Sequence, residues 1–296
     1  MDRWVIARFQ QHAQPLAPIA TGVSERIALS EPIEAVVFDI YGTLLISGCG
    51  DIGVTAHGEG SAAGQALAAA GVEPDLPGEA VVEQLRATIA RRHHAAHERG
   101  IPFPEVDIVE VWAETIAQLV EQGRLPSTAR SIDPRRVAVE YEVRVNPVWP
   151  MPGARECLEA CRRSGLLLGI VSNAQFFTPA IFPALFGSTL EQLGIPPARQ
   201  IYSYRYGRAK PDTYLFEEIK KELTGQAIGA DRTIYVGNDM RNDIWAAAES
   251  GMRTALFAGD RRSLRMRRDD PRVSGIEPDV TVTDWSRFTA AVVAPT

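Results

Sequence analysis

The run Ala35-Val36-Val37-Phe38 constrains the fold more than any other stretch of the chain. It is short, unbroken and rich in β-branched residues, with no polar side chain to face water. A strand of that pattern is covered on both faces, which is the condition of a parallel sheet flanked by helices. Three further runs repeat it, at 166–171, 233–236 and 254–257. Helical periodicity falls between them at 153–164, 212–223 and 243–250, and a last unit runs from Val280 into a helix near 284–293. Strand and helix in alternation imply an α/β fold with a doubly wound, Rossmann-like parallel sheet.

The stretch after the first strand breaks the alternation. From about 61 to 145 the pattern is helical, with helices expected at 61–71, 78–99, 105–122 and 134–144 and with Pro102, Pro104 and Pro134 between them. The pattern predicts a core at 31–47 and 147–296, split by an all-helical cap at 48–146. Residues 1–30 form a leader. A helix from Asp2 to His12 sets Trp4, Val5, Ile6 and Phe9 on one side, and Pro15 and Pro18 follow it. Packing against the chain's own domain is the expected fate of that helix. The glycine-rich segment 47–53, with Cys49, Gly50 and Gly53, permits hinge motion at the way into a site.

A chain of 296 residues, 45% of them hydrophobic, has the material for one large domain or two smaller ones. Its formal net charge of -6 argues against a nucleic-acid partner, which selects a basic face. A small anionic substrate is compatible with that charge, because a site can be locally positive. The three cysteines, Cys49, Cys157 and Cys161, are an odd number in a long chain. No disulfide framework is expected, and a reducing compartment fits. Cys157 and Cys161, four apart on one helix, read as two buried helix residues. The N-terminus carries charges and glutamines where a signal peptide needs an apolar stretch, and no apolar run approaches the ~20 residues of a membrane span. A cytoplasmic protein with no membrane partner is the expectation. The sequence leaves the oligomeric state open.

Ligands of open parallel sheets bind at the carboxyl ends of the strands. The polar residues at those ends are Asp39, Ser172, Asn173 and Asp239. An aspartate there, followed by Gly42 and Thr43, can attack an electrophile and carry a covalent intermediate. The amides of the turn can cradle an anion. Ser172 and Asn173 offer neutral donors, and Lys210 a compact cation. Asp239 and Asp243, four apart at a helix start, share a face; with Asp39 they make an oxygen-rich set suited to Mg2+. Each residue alone has an ordinary reading as a helix cap, a turn residue or a surface lysine. Their joint placement argues for a site.

Phe38-Asp39-Ile40-Tyr41-Gly42-Thr43-Leu44 resembles the first motif of the haloacid dehalogenase superfamily. Val171-Ser172-Asn173 resembles the second motif, Lys210-Pro211 the third, and Gly237-Asn238-Asp239 through Asp243 the fourth, in the same order. The helical insertion stands where that superfamily's type 1 caps stand. The resemblance implies a hydrolase with Asp39 as nucleophile and Tyr41 and Lys210 in the catalytic set. It implies that Gly42, Thr43, Ser172 and Asn173 hold the substrate, and that Asp39, Asp239, Asp243 and the Tyr41 carbonyl hold Mg2+.

One position departs from the commonest pattern. Most phosphatases of the superfamily carry a second Asp two residues after the nucleophile, where this chain has Tyr41. Asp-x-Tyr-Gly-Thr resembles the 2-haloacid dehalogenase branch, in which halide leaves without a proton and no metal is needed. That branch usually has Ser-Asn and only the later Asp in the fourth motif, whereas here Asp239 and Asp243 are both acids. An uncompensated acid at Asp239 would repel Asp39. The sequence therefore favours an Mg2+-dependent phosphatase acting on a small phosphorylated metabolite through an aspartyl-phosphate. Dehalogenation through an aspartyl ester is the alternative, and a degenerate, non-catalytic binding protein is the third reading.

Three weaker signals remain. His93, His94 and His97 share a helix with Arg91, Arg92, Glu98 and Arg99, and read as a solvated face more readily than as a zinc site. The basic run 261–268 reads as a surface loop with local ion pairs. Glu105, Asp107, Trp112 and Tyr141 of the cap are candidates for selectivity.

Overall fold

The computed structural model describes residues 2–48, 58–73 and 75–293. Cys49, Gly50 and Gly53 of the expected hinge lie outside the described residues. The strands, in chain order, are β1 (Arg26–Ile27), β2 (Ala35–Phe38), β3 (Leu45–Ser47), β4 (Val148–Pro150), β5 (Leu167–Ser172), β6 (Gln200–Tyr202), β7 (Thr233–Gly237), β8 (Arg253–Phe257) and β9 (Val280–Val282). Seven of them form one sheet in the order β1-β9-β8-β7-β2-β5-β6. Neighbours run parallel except β1, which is antiparallel to β9. All four residues of β2 are buried, as its unbroken apolar run requires.

The register brings three strand ends to one level. Phe38 lies opposite Ile170 of β5 and Val236 of β7. The chain leaves β2 for β5 on one side and later reaches β7 on the other. The resulting crevice at the carboxyl ends opens beside Asp39.

The leader forms α1 (Arg3–His12), whose Val5 and Phe9 are buried. Its Arg8 pairs with Glu140 at 2.6 Å, and the Phe9 and Phe177 rings stand 6.0 Å apart. The leader therefore packs on its own chain, and it also supplies the edge strand β1, which apolar patterning does not reveal in a two-residue strand.

Between β3 and β4 run α2 (Glu59–Ala69), α3 (Gly78–Glu98), α4 (Ile108–Glu121) and α5 (Pro134–Val145). They enclose a core of their own that includes Leu67, Trp112, Leu119 and Val137. β3 and β4 pair antiparallel, so the chain leaves for the insertion and returns from it through one short ribbon.

The remaining helices are α6 (Ala154–Arg163), α7 (Thr178–Ile181), α8 (Ser203–Tyr206), α9 (Tyr214–Thr224), α10 (Ala246–Glu249) and α11 (Trp285–Val292). Phe38, Phe257, Trp285 and Phe288 fill one face of the sheet, with the Phe257 and Trp285 rings stacked at 4.4 Å. Val37, Val171, Phe216 and Tyr235 fill the other. Cys157 and Cys161 are buried on α6. The helix expected at 243–250 begins differently: a wide π turn at Met240–Trp245 precedes α10. Among the described residues no helix is long and apolar enough to cross a membrane.

Candidate active site

Asp39 follows β2 directly, and its amide donates to the Val236 carbonyl at 2.8 Å. Its carboxylate is used on one side only. Oδ1 accepts from Ser172 Oγ at 2.8 Å and from Lys210 Nζ at 2.8 Å. Oδ2 has no hydrogen-bond partner among the described residues. Lys210 lies between α8 and α9, and Asn173 clamps it. The Lys210 amide donates to Asn173 Oδ1 at 2.7 Å, and Asn173 Nδ2 donates to the Lys210 carbonyl at 3.3 Å. Asn173, expected to hold substrate, positions Lys210 through these two bonds.

Lys210 Nζ also donates to Asp243 Oδ1 at 2.6 Å and to the Tyr235 hydroxyl at 2.9 Å. The Tyr235 hydroxyl donates in turn to the Val171 carbonyl at 2.8 Å. Burial alone would lower the Lys210 pKa, but Asp243 and Asp39 outweigh it and the ammonium is held above its ordinary value. The Asp243 carboxyl is pushed up to about 6, by burial first, against the pull of Lys210 and with added repulsion from Asp39 and Asp239.

Asp243 Oδ2 accepts the amides of Asn238 and Asp239, each at 2.9 Å. Gly237 permits this, because a side chain there would run into the Asp243 carboxyl. Gly42, at φ 82, has the same role on the facing turn: a Cβ would sit 2.8 Å from Asn238 Nδ2. The Gly42 and Thr43 amides close the turn onto Leu45 and Ile40, and Thr43 Oγ1 donates to Asn238 Oδ1 at 3.0 Å. The Gly42 and Thr43 amides, where an anion cradle was expected, are thus engaged within the turn, whereas those of Ile40 and Tyr41 donate to no group among the described residues.

Tyr41 is turned to Thr178, with 2.9 Å between the two hydroxyls. Burial, helped by the charge of Glu142, raises its phenol well above the ordinary value, against the Thr178 hydrogen bond. It stays neutral. Glu142 of α5 is a half-buried carboxyl raised to about 7 by burial, against a hydrogen bond from Asn146.

Asp239 points elsewhere. Its Oδ1 accepts the Arg241 and Asn242 amides at 2.9 and 3.0 Å, capping the π turn. Its Oδ2 accepts from Arg267 Nη2 at 2.6 Å and Nε at 3.0 Å. The basic run is therefore more than a surface loop, since it forms a wall of the site. Arg267 was not singled out in the sequence, and Asn238 entered only as a member of the fourth motif. The only hint of Arg267 was the cluster of arginines around it.

The implied Mg2+ set can be tested on these contacts. Asp243 has both oxygens engaged, Asp239 likewise, and Asn238 presents a neutral amide. Among the described residues no group of three or more His, Cys, Asp or Glu side chains is arranged to hold a metal ion. As arranged, the residues do not fit a divalent cation.

The candidates for selectivity take the following places in the fold. Trp112 is buried against Tyr141 at 5.4 Å between ring centres, and Asp107 caps α4 through the Val109 amide. Glu105 accepts from Ser203 Oγ at 2.7 Å and latches the insertion to the core. On α3, Arg91 and Arg92 pair with Glu110 and Glu114, and His94 lies 3.4 Å from Glu98.

A family model described as "Hydrolase: haloacid dehalogenase-like hydrolase" matches residues 33–251. No curated protein matches the chain. Among solved structures, a 2-haloacid dehalogenase from Pseudomonas syringae pv. Tomato DC3000 is 18% identical, with a TM-score of 0.55 over 88% of this chain and 98% of that one. The putative HAD-hydrolase YfnB from Bacillus subtilis, bound to magnesium, is 14% identical, with a TM-score of 0.52 over 88% and 99%. A structure described only as a dehalogenase is 16% identical, with a TM-score of 0.52 over 90% and 100%. At these identities the likeness is one of fold.

Proposed function

The chain belongs to the haloacid dehalogenase-like hydrolases, and from that footing we propose that it hydrolyses a small 2-halocarboxylate without a metal, through an ester on Asp39. The observation that carries this reading is the pairing of Asp239 with Arg267. The acid at Asp239 was the main argument for Mg2+, because an unbalanced carboxylate there would repel Asp39. Arg267 supplies the balance, so the argument for a metal lapses.

The charges favour the same substrate. Asp39, Asp239 and Asp243 face Lys210 and Arg267 in contacts of 2.6 to 2.8 Å. A phosphate monoester would bring two more negative charges against one nucleophilic carboxylate, and a halocarboxylate brings one. Halide needs no proton, which suits a site where Tyr41 stands in place of an acid and its phenol is held neutral by burial and the charge of Glu142.

In this reading Asp39 Oδ2 attacks the carbon bearing the halogen. The carbon–halogen bond breaks and halide leaves with the electron pair. Lys210 and Ser172 hold Oδ1 and fix the attacking oxygen in line. Water then cleaves the ester, giving the hydroxy acid, a proton and the free carboxylate. The amides of Ile40 and Tyr41 are available to the substrate carboxylate.

A second reading, the Mg2+-dependent phosphatase, is favoured by Glu142. Its carboxyl near pKa 7 is the sort of acid an alcohol leaving group needs. That reading requires Arg267 to leave Asp239. The experiment is to incubate the protein with 2-chloropropionate and with a panel of phosphate esters, each with Mg2+ and with chelator. Halide release that survives chelator and falls on the order of a thousandfold in Asp39→Asn is the expected result. Phosphate release that requires Mg2+, with no halide, overturns the proposal in favour of the phosphatase. Neither product would point to the binding-protein reading.

A further inference from the structure

The loop that carries Arg267 is strapped to the end of β7. The Arg265 amide donates to the Asn238 carbonyl and the Met240 amide to the Arg265 carbonyl, both at 2.9 Å. Arg267 itself sits at φ 49, a left-handed conformation that is unfavourable for a non-glycine residue. The two ties hold the backbone there and deliver the guanidinium onto a carboxylate whose side chain is only 8% exposed.

We propose that Arg267 is the built-in cation of Asp239 and that, while seated, it excludes divalent metal ions from this end of the sheet. The guanidinium lies on Oδ2 through two donors, while Oδ1 is committed to the π-turn amides. The carboxylate therefore has neither an open oxygen nor a net charge to offer. Charge-assisted contacts of this kind are strong, and they are hard to exchange where the acid is buried. The neighbouring Asn238 offers no replacement, since its amide already holds Thr43 and the Ser263 carbonyl. This inference concerns cation binding and stands apart from the chemistry at Asp39. A chain that excludes Mg2+ and releases no halide would fail the functional proposal and satisfy this one.

The probe is Mg2+ alone, titrated calorimetrically into the full-length protein. The unaltered protein is expected to show no saturable binding up to about 10 mM, and Arg267→Ala to bind at least about tenfold more tightly. Adding Asp239→Asn to Arg267→Ala should abolish that gain. Arg272 lines the same groove as Arg267, of ≈ 690 Å3, and pairs with Asp270 rather than Asp239. Arg272→Ala should therefore, like the unaltered protein, show no saturable binding up to about 10 mM. Should Arg267→Ala not fold, Arg267→Gln carries the same expectation. Submillimolar binding by the unaltered protein overturns the proposal. So does a folded Arg267 variant without gain, or an equal gain in Arg272→Ala, which would mark a diffuse field effect.

Discussion

All three ammonium hydrogens of Lys210 go to fixed acceptors, Asp39, Asp243 and Tyr235. It is a fixed charge between two buried acids. Lys210→Met should destabilise the fold by about 3–5 kcal/mol, since it leaves those acids unbalanced. Urea unfolding checks this, and adding Asp243→Asn should recover part of the loss. Glu142 makes a separate statement. Burial raises its carboxyl from 4.5 to about 7, so the native state keeps a proton that the unfolded chain releases. Stability must then fall as pH rises from about 4.5 to about 7, by at most about 3 kcal/mol and less for a half-buried group. Glu142→Gln should flatten that part of the profile, and an unchanged slope between pH 5 and 8 would refute the assignment. At this scale the sequence was legible where chemistry sits at a strand end: Asp39, Ser172, Lys210 and Asp243 all meet. Arg267 was not legible, because its partner stands 28 residues away across a loop whose path no periodicity encodes.

The strand-end loops work by close approach, and their glycines set the tolerance. Gly237→Ala drives a methyl into the Asp243 carboxyl and should push it off Lys210. A stability loss of about 1–3 kcal/mol and a fall in turnover of about tenfold or more are expected, with far-UV dichroism unchanged. The fully buried strands were readable because a strand covered on both faces carries an unbroken apolar run. β1, β3, β4 and β6, of two or three residues, were not, since they are too short for any period. The π turn was missed for another reason. The spacing of Asp239 and Asp243 fits an ordinary helix start, and only the hydrogen bonds to their carboxylates reveal the wider turn.

For the whole molecule, α1 matters more than its position suggests. It contacts the insertion through Arg8 and Glu140 and the core through Phe9 and Phe177. It thus adds a tie between two bodies also joined by the β3–β4 ribbon, the Glu105 latch, and the Gln175 side chain bonded to Val106 and Ile108. Phe9→Ala should cost about 3–5 kcal/mol and raise amide exchange in α5 and α7 together. Exchange confined to α1 would show that the helix merely rests on the surface. The alternation of strands and helices made the sheet readable. The tie was not, because an amphipathic helix shows which face it buries and not what it buries that face against.

The unequal use of the two Asp39 oxygens has an isotopic consequence. If the ester forms on Oδ2 and water attacks its carbonyl carbon, the product hydroxyl comes from Asp39 and the water oxygen replaces it. Oδ1, pinned by Ser172 and Lys210, is never exchanged unless the carboxylate flips. Repeated turnover in water enriched in oxygen-18 would then leave one heavy oxygen in Asp39 and never two, and the first product of each chain would carry none. Attack on phosphorus would leave the aspartate light and mark the phosphate.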